Sequence, residues 1–135
     1  MEELFIEAKI ENIGAVSDFV GTQIVNCNAK TKNEIMLAID EIFSNIANYA
    51  YSAKTGYVTV RTTVDDDITI EFEDSGIAYN PLLSAEPNIT LPAHERNIGG
   101  LGIFMVKKIM DSMEYRREGN KNILAIKKAK EECYV

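Results

Sequence analysis

Two stretches of alternating apolar and polar residues, separated by a short acidic turn, constrain the fold of this chain most. Tyr57 to Val64 alternates as a half-buried strand does, Asp65 to Asp67 suit a turn, and Ile68 to Phe72 alternates again. The pattern predicts a strand, a turn and a second strand. The same alternation places Asp74 on the buried side, at the end of the second strand, where its carboxylate needs a hydrogen-bond donor.

The other elements follow from helical periodicity and from further alternation. They are a strand from Leu4 to Ile10, a helix from about Ile13 to Val25, a helix capped by Thr31, a helical pattern from Ile103 to Met113, and a closing hairpin of Glu114 to Glu118 and Asn122 to Lys128. Thr31 and Glu34 have the spacing of a capping box. Residues 75 to about 97 lose this periodicity, and a loop of that length is more often functional than not. The chain of 135 residues is long enough for one domain with one core.

Charge and composition exclude several classes of function. A net charge of −7 argues against a nucleic-acid partner, which would require a basic face. The longest nearly uncharged apolar run, Ile98 to Val106, is half of what a bilayer span needs, and the N-terminus is acidic where a signal peptide is basic. We therefore expect a cytoplasmic protein. Cys27 and Cys133 lack metal or redox spacing, so sequence alone provides no argument for a disulfide.

The helix after Thr31 has a narrow polar side. Glu41, Asn45 and Asn48 fall within about 60° of arc on a helix that is otherwise largely apolar. A Glu and an Asn one turn apart can serve as a general base and as an oxygen ligand for Mg²⁺. The alternative is an ordinary solvated stripe on an amphipathic helix.

Glycines mark two further candidate sites. Gly99, Gly100 and Gly102 precede or open a helix, where free amides and the helix dipole favour a phosphate; a hinge or a close-packed helix start is the alternative. Asp74 with Gly76 could accept a hydrogen bond from an exocyclic amine such as that of adenine and leave room for the ring. An Asx turn that closes the strand is the alternative there.

These signals occur in an order that resembles a known superfamily. Glu41-x3-Asn45, Asp74-x-Gly76 and Gly100-x-Gly102 are similar to the N, G1 and G2 boxes of gyrase, Hsp90, histidine kinases and mismatch-repair ATPases. Within that superfamily, the chain most resembles the small anti-sigma-factor serine/threonine kinases of bacteria. The phrases that carry this resemblance are Ala38 to Glu41, Asn45 to Tyr51, Gly99 to Val106, Met110-Asp111 and Glu114 to Asn120.

The resemblance implies a fold and a domain organisation. The fold is α+β, a two-layer α/β sandwich of the Bergerat type, with a mixed, mainly antiparallel sheet packed on about three helices. Residues 1–135 would form a single ATP-binding kinase domain, with an ATP lid at about 78–99. His94 would be a lid residue, and Asn122 stands where members often place a threonine near the adenine-binding aspartate.

The resemblance also implies a role for each site residue. Glu41 would be the catalytic base, and Asn45 would ligate Mg²⁺ beside the phosphates. Nucleotide contacts would come from Asn48, Asp74, Gly76, Arg96, Gly99, Gly100, Leu101 and Gly102. Asp74 would accept from the adenine amine, and Arg96 would reach the γ-phosphate from the lid.

The function that the resemblance implies is a serine/threonine protein kinase acting as an anti-sigma factor in bacterial partner switching. ATP and Mg²⁺ would be its cofactors, a small anti-sigma-antagonist protein its substrate, and a sigma factor a further partner. The resemblance suggests a homodimer, and we expect neither nucleic acid nor membrane as a partner. The alternative is a nucleotide-regulated binding module of the same fold without kinase turnover.

Overall fold

The computed structural model describes residues 1–51, 55–83 and 100–134, and it contains one five-stranded sheet in the order β1-β2-β3-β5-β4. The strands are β1 (Glu2–Glu7), β2 (Tyr57–Val64), β3 (Asp67–Asp74), β4 (Ser112–Glu118) and β5 (Lys121–Ala129). The helices are α1 (Ile13–Gly21), α2 (Ala29–Asn45), α3 (Gly100–Ile109) and the short α4 (Lys130–Cys133). Each of the neighbouring strand pairs is antiparallel. The described sheet is therefore antiparallel throughout rather than mixed.

The helices cover one face of the sheet, and the core lies between the two layers. Its strand side comes from the even-numbered residues of β2 and β3, among them Val58, Val60, Ile68, Ile70 and Phe72. Its helix side includes Val16, Val20, Ile35, Ile39, Ile42 and Phe43. The opposite face is charged, with Arg61 bonded to Glu73 at 3.1 Å. This arrangement confirms the α+β two-layer sandwich.

The boundaries differ from the predictions mainly at element ends. β1 begins at Glu2 and ends at Glu7, because residues 10 to 12 form a 3₁₀ turn that leads into α1. α3 ends at Ile109, short of the predicted Met113, because the chain joins the sheet at once: the Asp111 amide donates to the Lys127 carbonyl at 2.9 Å. Within the described ranges, no helix has the length and apolarity needed to cross a bilayer.

The cap of α2 is Asn28, so the predicted capping box at Thr31 is wrong. The Asn28 side chain accepts from the Thr31 amide at 2.8 Å, as an N-cap does. The Thr31 hydroxyl instead donates to the Glu132 carbonyl at 2.9 Å, and Glu34 pairs with Lys128 at 3.3 Å. Both residues of the predicted box are therefore engaged by the C-terminal part of the chain, which a local spacing rule does not include.

The C-terminal segment is fastened to the start of α2. Cys133 lies in α4 and forms a disulfide with Cys27, and the Asn28 amide donates to the Cys133 carbonyl at 2.7 Å. Lys128 is buried and donates to the Ile109 carbonyl at the end of α3. The tail thus packs as part of the domain, and the two cysteines, which sequence alone left unpaired, are covalently joined.

Candidate functional site

A cavity of about 290 Å³ lies between the sheet and the C-terminal end of α2. Its apolar walls are formed by Ile42, Ile46, Ala50, Ile77, Pro81, Ile103 and Leu124. Its polar groups come from Asn45, Tyr49, Asp74, Tyr79, Tyr115 and Asn122. Concave, mostly apolar cavities with a few convergent polar groups are the usual sites for small organic ligands.

Asp74 is the buried acid of this cavity, and it lies at the strand end where the alternation predicts it. The residue is only 6% exposed, and its Oδ1 accepts from the Asn122 Nδ2 at 3.0 Å and from the Gly76 amide at 2.9 Å. Burial raises the pKa of the Asp74 carboxyl, while these two hydrogen bonds and the nearby charge of Arg117 oppose the rise. Among the described residues, no donor meets Oδ2, which leaves that oxygen for a ligand.

A second buried polar residue, Asn122, lines the cavity. It is not among the predicted nucleotide contacts, although the resemblance places it near the adenine-binding aspartate. β3 and β5 pair so that Asp74 lies directly opposite Asn122. The Asn122 amide also donates to the Ile77 carbonyl at 2.8 Å, and its oxygen accepts from the Tyr115 hydroxyl at 2.5 Å. The alternation of inward and outward residues in the closing hairpin could have placed Asn122 on the inner face of the sheet. Its contact with Asp74, however, depends on the pairing of β3 with β5.

Asn45 is the last residue of α2 and lines the cavity, whereas Asn48 does not. A π-helix over Ile46–Ala50 follows directly. Its wider turn brings Tyr49 and Ala50 to the cavity and leaves Asn48 exposed, because i→i+5 bonding rotates later residues away from the α-helical face. The single helical face inferred for Glu41, Asn45 and Asn48 is therefore broken after Asn45. A nucleotide contact by Asn48 stays a prediction.

Glu41 lies one turn before Asn45, outside the cavity lining and against α3. A Cβ added at Gly102 would overlap the Glu41 carboxylate, so the two residues are in close contact. Neither Glu41 nor Asn45 has a hydrogen-bonded side-chain partner among the described residues. The half-buried Glu41 carboxylate and the Asn45 carboxamide are therefore not engaged by the part of the chain that the structure describes, and they are available to a substrate or a metal ion.

Gly76 is required by a close backbone contact. A Cβ at this position would overlap the carbonyl of Ala50 at the end of the π-helix, and the Ile77 amide donates to that carbonyl at 3.0 Å. The contact accounts for this glycine independently of a bound ring. The predicted role of Gly76 in ring clearance stays a prediction.

The predicted phosphate-binding residues lie at the start of α3. The helix begins at Gly100, so the backbone of Gly100, Leu101 and Gly102 belongs to its first turn, which is where free amides favour an anion. Arg96, Gly99 and His94, and the greater part of the predicted lid at 78–99, lie outside the described residues.

Taken with these features, a family comparison defines the class of protein. The family model for the histidine kinase-like ATPase domain matches residues 6–128, and the chain belongs to that family. The match includes the cavity, the end of α2, the start of α3 and the closing hairpin.

The chain is also similar to individual proteins of known name. The chain is similar to the anti-sigma F factor of Clostridium perfringens strain SM101, with 28% identity over 129 residues that cover 91% of each chain. It is also similar to the serine/threonine-protein kinase BtrW of Bordetella bronchiseptica, with 24% identity over 102 residues, 73% of this chain and 71% of the relative.

A solved structure supports the fold alone. The histidine kinase domain of the Erythrobacter litoralis EL346 blue-light activated histidine kinase aligns with a TM-score of 0.54 and 16% identity. The alignment covers 93% of this chain and 64% of that chain. At such low identity, the alignment shows only that the two chains share an arrangement of strands and helices.

Proposed function

We propose that this protein is an ATP-dependent serine/threonine protein kinase that acts as an anti-sigma factor and phosphorylates a small anti-sigma-antagonist protein. The observation that carries the proposal is the buried Asp74, whose Oδ2 meets no donor from the described part of the chain and lies in an apolar cavity that Asn45 also lines. The two relatives described above, one named an anti-sigma factor and the other a serine/threonine-protein kinase, support the choice of function.

The cavity fits the adenine of ATP. Its walls are mainly apolar, which suits a planar ring, and its buried carboxylate, when ionised, accepts hydrogen bonds and donates none. Asp74 Oδ2 would accept from the exocyclic amine of adenine, which is a donor. The backbone of Gly100, Leu101 and Gly102 would bind the phosphates at the start of α3, with Gly99 and Arg96 contributing from the adjoining segment.

The residues beside the cavity also fit a magnesium ion. Asn45 offers a carboxamide oxygen that meets no donor within residues 1–51, 55–83 and 100–134. Mg²⁺ in nucleotide sites needs few protein ligands, since phosphates and water supply the rest. When bound, the ion neutralises charge on the phosphates of the nucleotide. Asn45 would hold it, which accounts for how an acidic chain accommodates a polyanion.

Glu41 is the proposed general base. The substrate hydroxyl oxygen attacks the γ-phosphorus, the bond from that phosphorus to the bridging oxygen breaks to leave ADP, and the hydroxyl proton passes to the Glu41 carboxylate. The contact with Gly102 puts this carboxylate next to the proposed phosphate-binding turn. Positioning and charge neutralisation account for most of the catalysis in phosphoryl transfer, so one base with one metal ligand is chemically sufficient.

Binding is tested first, by titration calorimetry with MgATP. Asn45→Ala should abolish binding at millimolar nucleotide, whereas Asn33→Ala, at an exposed position on the same helix, should bind as the unmodified protein does. If the unmodified protein itself binds no MgATP at millimolar concentration, the proposed function is wrong.

Transfer is tested with γ-labelled ATP and candidate antagonist domains. Glu41→Gln should bind MgATP normally and transfer no label, while Asp40→Asn, at the exposed neighbouring position, should transfer it normally. Label on the partner supports the kinase. A stable unlabelled complex with the unmodified protein supports the nucleotide-regulated binding module instead.

The remaining parts of the proposal concern assembly and location. We propose a sigma factor as a second partner, a homodimer as the assembly and the cytoplasm as the location. Sedimentation analysis of the purified protein, with and without MgATP, tests the dimer, since a single species of 15.1 kDa would contradict it.

A further inference from the structure

Asn122 is held against Asp74 by the register of the sheet. The two residues are direct partners across β3 and β5, and each residue is only 6% exposed. Asn122 Nδ2 donates to Asp74 Oδ1 at 3.0 Å and to the Ile77 carbonyl at 2.8 Å. A carboxamide has two N–H donors, so both are used by the protein and neither is left for a ligand.

The opposite end of the same carboxamide is surrounded by donors. Asn122 Oδ1 accepts from the Tyr115 hydroxyl at 2.5 Å, from Arg117 Nη1 at 3.1 Å and from the Tyr79 amide at 3.4 Å. A flipped carboxamide would put its NH₂ against all three donors and its oxygen against two acceptors. The orientation of the Asn122 side chain is therefore fixed by its surroundings.

We propose that Asn122 is a positioning residue that holds Asp74 with one carboxylate oxygen turned to the cavity, and thereby selects a nucleobase that bears an exocyclic amine. It acts through Asp74, because its own donors are occupied. Tyr115 and Arg117 fix Asn122 in turn. The inference rests on the proposed function, since it assigns a specificity determinant to the nucleotide site.

Selection of an amine requires Asp74 to be ionised, since a carboxylate is a better acceptor than a carboxylic acid. Burial raises the pKa of the Asp74 carboxyl, and the hydrogen bond from Asn122 is the largest opposing influence, ahead of the Gly76 amide and the charge of Arg117. The other titratable groups nearby are Tyr51 beyond α2, Tyr115 on β4 and Glu73 on β3. Loss of Asn122 should move the titration of Asp74 to higher pH.

The test compares MgATP with the magnesium complex of purine riboside triphosphate, which lacks only the exocyclic amine. Titration calorimetry at pH 7 should show that the unmodified protein favours MgATP by about 10- to 150-fold, as expected for a hydrogen bond to a charged acceptor. In Asn122→Ala this preference should fall to below about threefold, with little change in affinity for the analogue. The pH at which MgATP affinity declines should rise in the same variant.

Two further variants keep the inference open to refutation if Asn122→Ala does not fold. Tyr115→Phe retains the ring but removes a donor to Asn122, and should reduce the preference for the amine. Asn122→Thr supplies one hydroxyl donor in a side chain suited to a strand, and should restore part of it. A merely structural role for Asn122 would weaken both nucleotides equally and leave the pH profile unchanged.

The outcomes separate this inference from the proposed function. If the unmodified protein binds neither nucleotide, the proposed function fails and the inference fails with it. If the unmodified protein prefers MgATP but the variants keep that preference and its pH profile, the positioning role alone is wrong. Loss of the preference in Asn122→Ala with recovery in Asn122→Thr supports it.

Discussion

Replacing Asp74 by asparagine should have opposite effects on stability and on nucleotide binding. Oδ1 of Asp74 is met by two donors, Asn122 Nδ2 and the Gly76 amide. In Asp74→Asn the carboxamide oxygen must therefore take the Oδ1 position, and its NH₂ must take the Oδ2 position that faces the cavity. A donor would then oppose the exocyclic amine of adenine, which is also a donor.

The number of hydrogen bonds lost in Asp74→Asn sets the expected decrease in affinity for MgATP. One hydrogen bond to a charged acceptor disappears, which is worth about 1.5–3 kcal/mol and corresponds to a rise of about 10- to 150-fold in Kd. The unfavourable pairing of two donors should bring the result to the upper part of that range. Titration calorimetry with MgATP at pH 7 measures it, with Asp65→Asn in the exposed β2–β3 turn as the matched control.

Without nucleotide the same variant should be more stable than the unmodified protein. The folded-state pKa of Asp74 is raised above its ordinary value of 3.8, so the folded protein binds more protons than the unfolded chain between those two values. The free energy of unfolding therefore falls as pH rises through that window, and the deficit persists at pH 7. The neutral asparagine avoids this cost.

Thermal unfolding without nucleotide, measured between pH 3.5 and 8, tests the predicted effect on stability. The unmodified protein should lose stability as the pH rises through the Asp74 titration, and Asp74→Asn should lack that part of the profile. An unchanged Kd for MgATP in the variant would refute the assignment of Oδ2 as the ligand acceptor. A lower melting temperature than the unmodified protein at pH 7, without nucleotide, would refute the desolvation argument.

Two further predictions concern the base and the disulfide. Gly102→Ala should displace the Glu41 carboxylate, because a Cβ at position 102 would overlap it. The variant should therefore reduce kcat in the label-transfer assay by at least tenfold. An unchanged kcat would contradict the close contact between Gly102 and Glu41. Reduction of the bond between Cys27 and Cys133, which are 106 residues apart, should lower the free energy of unfolding by about 4.8 kcal/mol in the chain-entropy model. For a chain of 135 residues, this loss of unfolding free energy corresponds to a fall of about 17 °C in Tm. The measurement compares Tm with and without a phosphine reductant. The control is a Cys27→Ser/Cys133→Ser protein, whose Tm should not respond to the reductant.

Local periodicity was sufficient to predict the sheet hairpin and the buried acid. β2 begins at Tyr57 and ends at Val64 as predicted, and Asp74 lies on the inner face at the end of β3. Both predictions need only the two-residue repeat of a strand, which neighbouring residues determine. The order of the three boxes, rather than any one of them, then indicated the family.

The features that sequence did not predict depend on long-range contacts. Thr31 has the local spacing of a cap, yet its hydroxyl bonds Glu132 from the far end of the chain. The direct pairing of Asn122 with Asp74 exists because β5 lies beside β3, and the hairpin pattern alone does not specify that neighbour. The π-helix likewise leaves no periodic signal in the sequence, since five residues are too few to distinguish i→i+5 hydrogen bonding from the i→i+4 bonding of an α-helix.

The π-helix explains how the two halves of the proposed nucleotide site are connected. Its last carbonyl, from Ala50, accepts from the Ile77 amide at 3.0 Å. The next residue, Tyr51, accepts from the Ser75 amide at 2.9 Å and donates to the Tyr57 carbonyl at 2.7 Å. These bonds join the segment after Asn45 to the segment after Asp74, and so connect the proposed metal ligand to the aspartate that is proposed to bind adenine. A site joined in this way favours an intact nucleotide over adenine or triphosphate alone, because one preorganised structure binds both ends of the ligand.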